Sequence, residues 1–141
     1  MPRIRTIKPE FASDEKLASV SREARLTFVL LMTQADDDGL LLARPRQLLG
    51  ALYPHDDDVT PDALAAWLSE LCAIGAIRRR ETADSAPVVE IVNWSRHQRI
   101  DHKSKSLILP HLREVSSDAR EGFARHSRDT RAPTLDLGPR T

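Results

Sequence analysis

Residues 60–94, TPDALAAWLSELCAIGAIRRRETADSAPVVEIVNW, decide the fold, because the hydrophobic period changes inside them. Up to Gly75 the apolar residues recur at helical spacing, with Leu64, Leu68 and Leu71 on one face. Thr60 suits an N-cap and Pro61 the first helical position, so the pattern predicts a helix from Pro61 to Ile74, closed by Gly75. Past Gly75 the period becomes extended. Ile77 to Glu81 and Val88 to Trp94 are rich in β-branched residues or alternate. They read as two strands of a hairpin around the loose loop Thr82 to Pro87.

Upstream, Ser21 caps a segment in which Ala24, Phe28, Leu31 and Ala35 form a buried stripe, predicting a helix from Arg22 to Ala35. The run Asp36-Asp37-Asp38-Gly39 ends it, and Leu40 to Leu42 is long enough only for a short strand. Pro45 opens a further helix, Arg46 to Leu52, that stops before Pro54. Ser13 is the expected N-cap of a short turn reaching Leu17, helped by Asp14 and Glu15. Pro2 and Pro9 keep residues 1–12 extended, as a basic N-terminal arm. Ser116 to His126 could form one weak helix, and Thr130 to Thr141 reads as a disordered tail.

Helix, short strand, helix, helix and hairpin is the order of a winged helix-turn-helix. The expected class is therefore α+β, mainly helical with a small β-hairpin wing. The expected division is an arm at 1–12, the winged domain at 13–105 and a weakly structured tail at 106–141. A chain of 141 residues can bury a core of this size without disulfides, and its single cysteine, Cys72, permits none within the chain. No apolar run approaches the roughly 20 residues a membrane span needs. A charged start without an apolar stretch after it is not a secretory signal, so a soluble intracellular protein is expected.

The formal net charge is zero, with 21 basic and 21 acidic residues, but the zero is a cancellation between blocks. Residues 1–12 carry +2, residues 13–75 carry −6 and residues 76–141 carry +4. Such asymmetry points to a one-sided electrostatic surface. In a helix-turn-helix the second helix reads base edges, here Pro61 to Ile74. Its outer face offers Asp62, Ala65, Ala66, Ser69, Glu70 and Ala73, with no Arg, Lys, Asn or Gln to pair with guanine or adenine. The candidates for nucleic-acid contact lie elsewhere. Arg3, Arg5 and Lys8 are on the arm and Arg78, Arg79 and Arg80 on the first wing strand, where alternation turns Arg79 opposite its neighbours. Arg96, His97, Gln98, Arg99, Lys103 and Lys105 follow the second wing strand. Arms and wings can track phosphates or enter a minor groove. The plainer reading of arginines there is a solvated edge strand protected by charge.

Catalysis and metal binding find little footing. Consecutive aspartates at 36–38 and 56–58 diverge, and ending helices or solvating loops explains them better than magnesium ligation. His97, His102 and His111 lack a fourth zinc ligand, and His97 reads better as a hydrogen-bonding or phosphate-facing residue. Cys72, beside the Leu71 stripe, reads as a small core hydrophobe without a neighbouring base. The glycines form no phosphate-cradling loop. Trp67 and Trp94 are expected in the core rather than stacking on bases. A non-enzyme with no cofactor and no metal is expected.

The arm RIRTIKPEF (3–11), the stretches SREARLTFVLL (21–31), ADDDG (35–39) and ALYPHDD (51–57), and NWSRHQ (93–98) jointly resemble one family over roughly residues 1–105. It is the winged-helix domain of phage and prophage replication proteins, grouped with DnaD-like replisome organisers. The resemblance implies a double-stranded DNA partner, replication proteins of phage or host as further partners, and the cytoplasm of a bacterial cell. It leaves homo-oligomerisation open. Together these features lead to a non-catalytic DNA-binding protein of replication initiation or its control. The alternative is a protein-interaction module docking through the acidic body and the Ala65, Ala66 and Ala73 face, without touching DNA.

Overall fold

The computed structural model describes residues 2–114. The helix expected at 116–126 and the tail expected at 130–141 lie outside them. Within them the chain is a mixed α+β structure of six α-helices and a three-stranded antiparallel sheet. The helices are α1 (Glu10–Ser13), α2 (Glu15–Ala18), α3 (Arg22–Gln34), α4 (Pro45–Leu52), α5 (Pro61–Ala73) and α6 (Trp94–His97). The strands are β1 (Leu40–Leu42), β2 (Ile77–Glu81) and β3 (Pro87–Ile91), in the order β1-β3-β2.

Local chemistry sets most boundaries. The Ser21 hydroxyl accepts from the Ala24 amide at 3.1 Å and starts α3, and Thr60 does the same for Ala63 at α5. Ser21 Oγ also donates to Glu70, whose other carboxylate oxygen accepts from the Ser21 amide, so the start of α3 is tied to α5. The first turns differ from expectation. Asp14, not Ser13, caps α2, accepting from the Lys16 and Leu17 amides, because an ionised carboxylate is the stronger acceptor at a helix N-terminus. Ser13 instead ends α1, a single turn begun at Pro9.

Trp94 also differs. It opens α6 rather than ending β3, because Asn93 turns the backbone left-handed at φ 58° and stops the strand. The indole is buried and its Nε1–H donates to the Asp37 carbonyl at 3.0 Å. Trp94 packs against Gly39, which has φ +78°, and a Cβ there would come within 2.8–2.9 Å of Trp94 Cβ, Cγ and Cδ2. Glycine is required at this position twice over, by conformation and by space.

Register explains the sheet's two faces. Leu41, Val89 and Arg79 are partners across the sheet, as are Ile77 and Ile91, and these point one way. On that face Leu41, Val89, Ile77 and Ile91 meet Phe28, Leu31, Leu64 and Leu71 from α3 and α5 in the core. Burying each such side chain contributes about 1.5–3 kcal/mol. A buried hydrogen bond of 2.7 Å between Thr27 and Tyr53 hydroxyls joins α3 to the end of α4.

Leu40, Val88 and Glu90 point the other way, with Arg78 and Arg80, yet Leu40 and Val88 are only 3% and 1% exposed. The return segment 106–113 accounts for this. It leaves Asp36, beside the start of β1, where the Ser106 hydroxyl is bonded. It finishes along the far end of β2, where Leu112 bridges Thr82 and the Arg113 amide donates to Glu81. The two anchors stand at opposite edges and opposite ends of the sheet, so the segment crosses its outer face. Residues 106–113, placed in the expected tail, are therefore bonded to Asp36 at one end and to Glu81 and Thr82 at the other.

Candidate nucleic-acid interface

The arm is extended only up to Lys8, because Pro9 adopts a helical backbone and opens α1 rather than prolonging the arm, and its extended part is held in place. The Arg3 amide donates to Thr33 O at 2.9 Å. Three residues on, the Thr6 amide donates to Gln98 Oε1 at 3.0 Å and Gln98 Nε2 donates back to Thr6 O at 2.9 Å. The Arg3 guanidinium donates to Ser104 Oγ at 2.8 Å. The arm therefore runs antiparallel to residues 98–104. Phe11 stacks on Phe28 at 6.1 Å between centroids, and His97 meets the same ring edge-on at 5.6 Å.

The acidic run supplies the anchor. Asp37 is 2% exposed and accepts from the Ser104 amide at 2.8 Å and from Arg5 at 3.1 Å, with Arg3 at 3.5 Å. The Ser104 amide, and then the two guanidiniums, hold its carboxyl below the usual carboxylate range, against burial that pushes it up. Asp36 Oδ1 accepts from the Asp38 and Leu40 amides and Oδ2 from Ser106, while Asp38 pairs with Lys103. The run does end α3, but its carboxylates are bonded to the arm and to residues 103–106 rather than left to solvent. The signal in the sequence was the complement: three acids facing Arg3-x-Arg5 and the alternation Lys103-Ser104-Lys105-Ser106.

Arg5 has its side chain only 5% exposed. Besides Asp37, its guanidinium donates to Met32 O and Ala35 O at the end of α3 and lies over the Trp94 ring at 4.8 Å. This is the position a helix C-terminus and an indole face both favour for a cation, and it leaves Arg5 no surface for phosphate. Gln98 is likewise buried and committed to Thr6 and Met32. His97 is half-buried, and burial together with the Lys8 charge holds its imidazole below the ordinary histidine value.

On the sheet, Arg78 and Arg80 share Glu90 at 3.4 and 3.1 Å, and Arg80 also donates to Arg113 O. Arg79 points to the opposite face, as alternation requires, and donates to Ser69 of α5 at 3.0 Å. Arg113 clamps the hairpin loop through Glu81, Ala83 O and Ser85. Arg99 is exposed, its only ion pair among the described residues being one to Asp101. Lys103 is half-exposed beside Asp38, which raises its pKa. Lys8, Arg96 and Lys105 are exposed and make no ion pair among the described residues. Of the arm cations Arg5 is thus buried, while Arg3 is bonded to Ser104 within the 96–105 segment, and Arg78 and Arg80 lie on the sheet's outer face.

The helix α5 presents Asp62, Ala65 and Ala66 to solvent. Burial pushes the Cys72 thiol up to about 11, far from a reactive thiolate. Among the described residues no group of three or more His, Cys, Asp and Glu is placed to hold a metal, and no helix is long and apolar enough to cross a membrane. Comparison with family models, with curated proteins and with solved structures finds no match.

Proposed function

We propose that the protein is a non-catalytic, double-stranded-DNA-binding protein of winged helix-turn-helix architecture, of phage or prophage type, serving replication initiation or its control. The observation that carries this reading is the pinning of the arm along residues 98–104, which brings together the two segments that carry the exposed Lys8, Arg96 and Lys105. Arg3, Arg99 and Lys103 add partly neutralised charge to them. A track of this kind holds a phosphate backbone without reading bases. The helix order α3-α4-α5 followed by the β2–β3 hairpin supports the architecture, and the resemblance of the arm and of residues 93–98 to phage replication proteins supports the setting. Arg78 and Arg80 are secondary contacts, because Glu90 already offsets part of their charge.

The test is charge reversal at Lys8, Arg96 and Lys105 together, read by gel shift on duplex DNA at about 50 and 200 mM salt. Each phosphate that is no longer neutralised lowers the slope of log affinity against log salt by about 1. A weaker complex with a flatter slope is expected, and unchanged affinity and slope would overturn the proposal. A second reading, docking of a protein partner on α5, is favoured by the donor-free Asp62, Ala65 and Ala66 surface. Unmodified protein that shifts no duplex even at low salt would leave that second reading standing.

A further inference from the structure

Ile4 is 98% exposed, the most open large hydrophobe among the described residues. It does not sit on a loose thread. The Arg3 amide is bonded to Thr33 O on one side of it, and Arg5 is locked beneath the arm on the other. Both flanking guanidiniums reach inward to Asp37, so the alternation of an extended chain turns the side chain between them outward. A β-branched side chain is restricted at χ1, and here its backbone is held on both sides as well. The result is a stiff apolar tip rather than a groove. Leu107 is nearly as open, but it lies outside the stretch that the arm shares with residues 98–104.

The surroundings of the tip specify its partner. The arm lies antiparallel to residues 98–104 between the Arg3–Ser104 and Thr6–Gln98 contacts, and Ile4 falls between those two anchors. Exposed Lys8, Arg96, Arg99 and Lys105 are carried by the same two stretches, against Glu10 and Asp101 as the exposed carboxylates. Ile4, fully open where Ile7 on the same arm is about half covered, stands among cations, and such a tip is complementary to a polyanion that offers an apolar slot. Stacked base pairs bordered by phosphates have that character, and inserted isoleucine or leucine side chains open base steps from the minor groove.

We infer that Ile4 is a wedge that enters the minor groove of duplex DNA and kinks it at a base step. The inference rests on the DNA-binding reading above and adds to it the groove, the apolar contact and a change in DNA shape. Because Ile4 touches no core residue, Ile4→Ala leaves the fold intact, which an unchanged melting temperature verifies. The experiment compares unmodified protein, Ile4→Ala and Ile4→Leu on an A·T-rich duplex of about 25 base pairs carrying a dye at each end. Affinity is read by gel shift and bending by energy transfer between the dyes.

Unmodified protein is expected to bend the duplex by about 20–90°. Ile4→Ala is expected to bind about tenfold more weakly with the duplex straight and the salt slope unchanged, and Ile4→Leu to restore the bend. Binding by unmodified protein without a bend, or an equal bend with Ile4→Ala, overturns the wedge and leaves the backbone contacts standing. Absence of any binding overturns both. A loss of self-association on Ile4→Ala, seen by sedimentation with bending unaffected, would reassign the tip to a second copy of the chain and overturn the wedge as well.

Discussion

Asp37 is a carboxylate shut away from water, and it stays ionised because the Ser104 amide and the Arg5 and Arg3 guanidiniums stand in for its hydration shell. His97 shows the opposite balance. Burial and the Lys8 charge lower its pKa, so the folded protein binds fewer protons than the unfolded chain around pH 6. The His97 contribution to stability is complete above the unfolded value of about 6.5 and declines as pH falls toward the folded value. We expect the urea midpoint to fall between about pH 7.5 and 5.5, and His97→Gln to flatten that fall. Asp37 adds nothing in this window, because its pKa is lowered from 3.8 and its contribution disappears only in stronger acid. At this scale the sequence was least informative. Arg5, His97 and Gln98 have the composition of a phosphate-binding set, but which cation is buried depends on contacts 30 to 90 residues away. Lys8, Arg96 and Lys105 were legible as exposed charge because no ion pair among the described residues takes them up.

Elements whose ends are decided within a few residues were readable in advance. Ser21 and Thr60 cap helices where hydroxyl chemistry predicts, and β2 runs from Ile77 to Glu81 as its alternation requires. Where the deciding contact is distant, the reading slipped. Val88 to Trp94 looks like one strand, but Trp94 must swing back to reach Asp37 O and cover Gly39, so Asn93 ends the strand. Two glycines measure this difference between near and far constraints. Gly39→Ala forces a Cβ into the indole at a positive φ, and the expected loss is about 2–4 kcal/mol. Gly50 lies within α4 with nothing within 4 Å of an added Cβ, and Gly50→Ala should stabilise by about 0.5–1 kcal/mol. Thermal melts of the two variants check both signs.

The whole molecule is electrically neutral, and its neutrality is partly internal. Asp37 is matched with Arg3 and Arg5 of the arm and Asp38 with Lys103, and Glu90 is matched with Arg78 and Arg80. The segment sums therefore pointed at real surfaces, but they could not tell a pair from a patch, since charge counting carries no distances. The same holds for the end of the described chain, where residues 106–113 close over the sheet. A chain cut after Lys105 should lose on the order of 2–4 kcal/mol relative to one cut after Glu114, because Leu40 and Val88 become exposed and the Arg113 clamp is gone. Urea unfolding of the two chains measures the difference. The bonds that hold the arm span up to 101 positions, from Arg3 to Ser104. Synthesis proceeds from the N-terminus at about 5–20 residues per second, so those partners follow the arm by roughly 5–20 s. The arm thus waits on the ribosome for its partners at residues 98–104 after those at 32–37 have been made, and until then its arginines and isoleucines are open to whatever chaperone or nucleic acid is nearby.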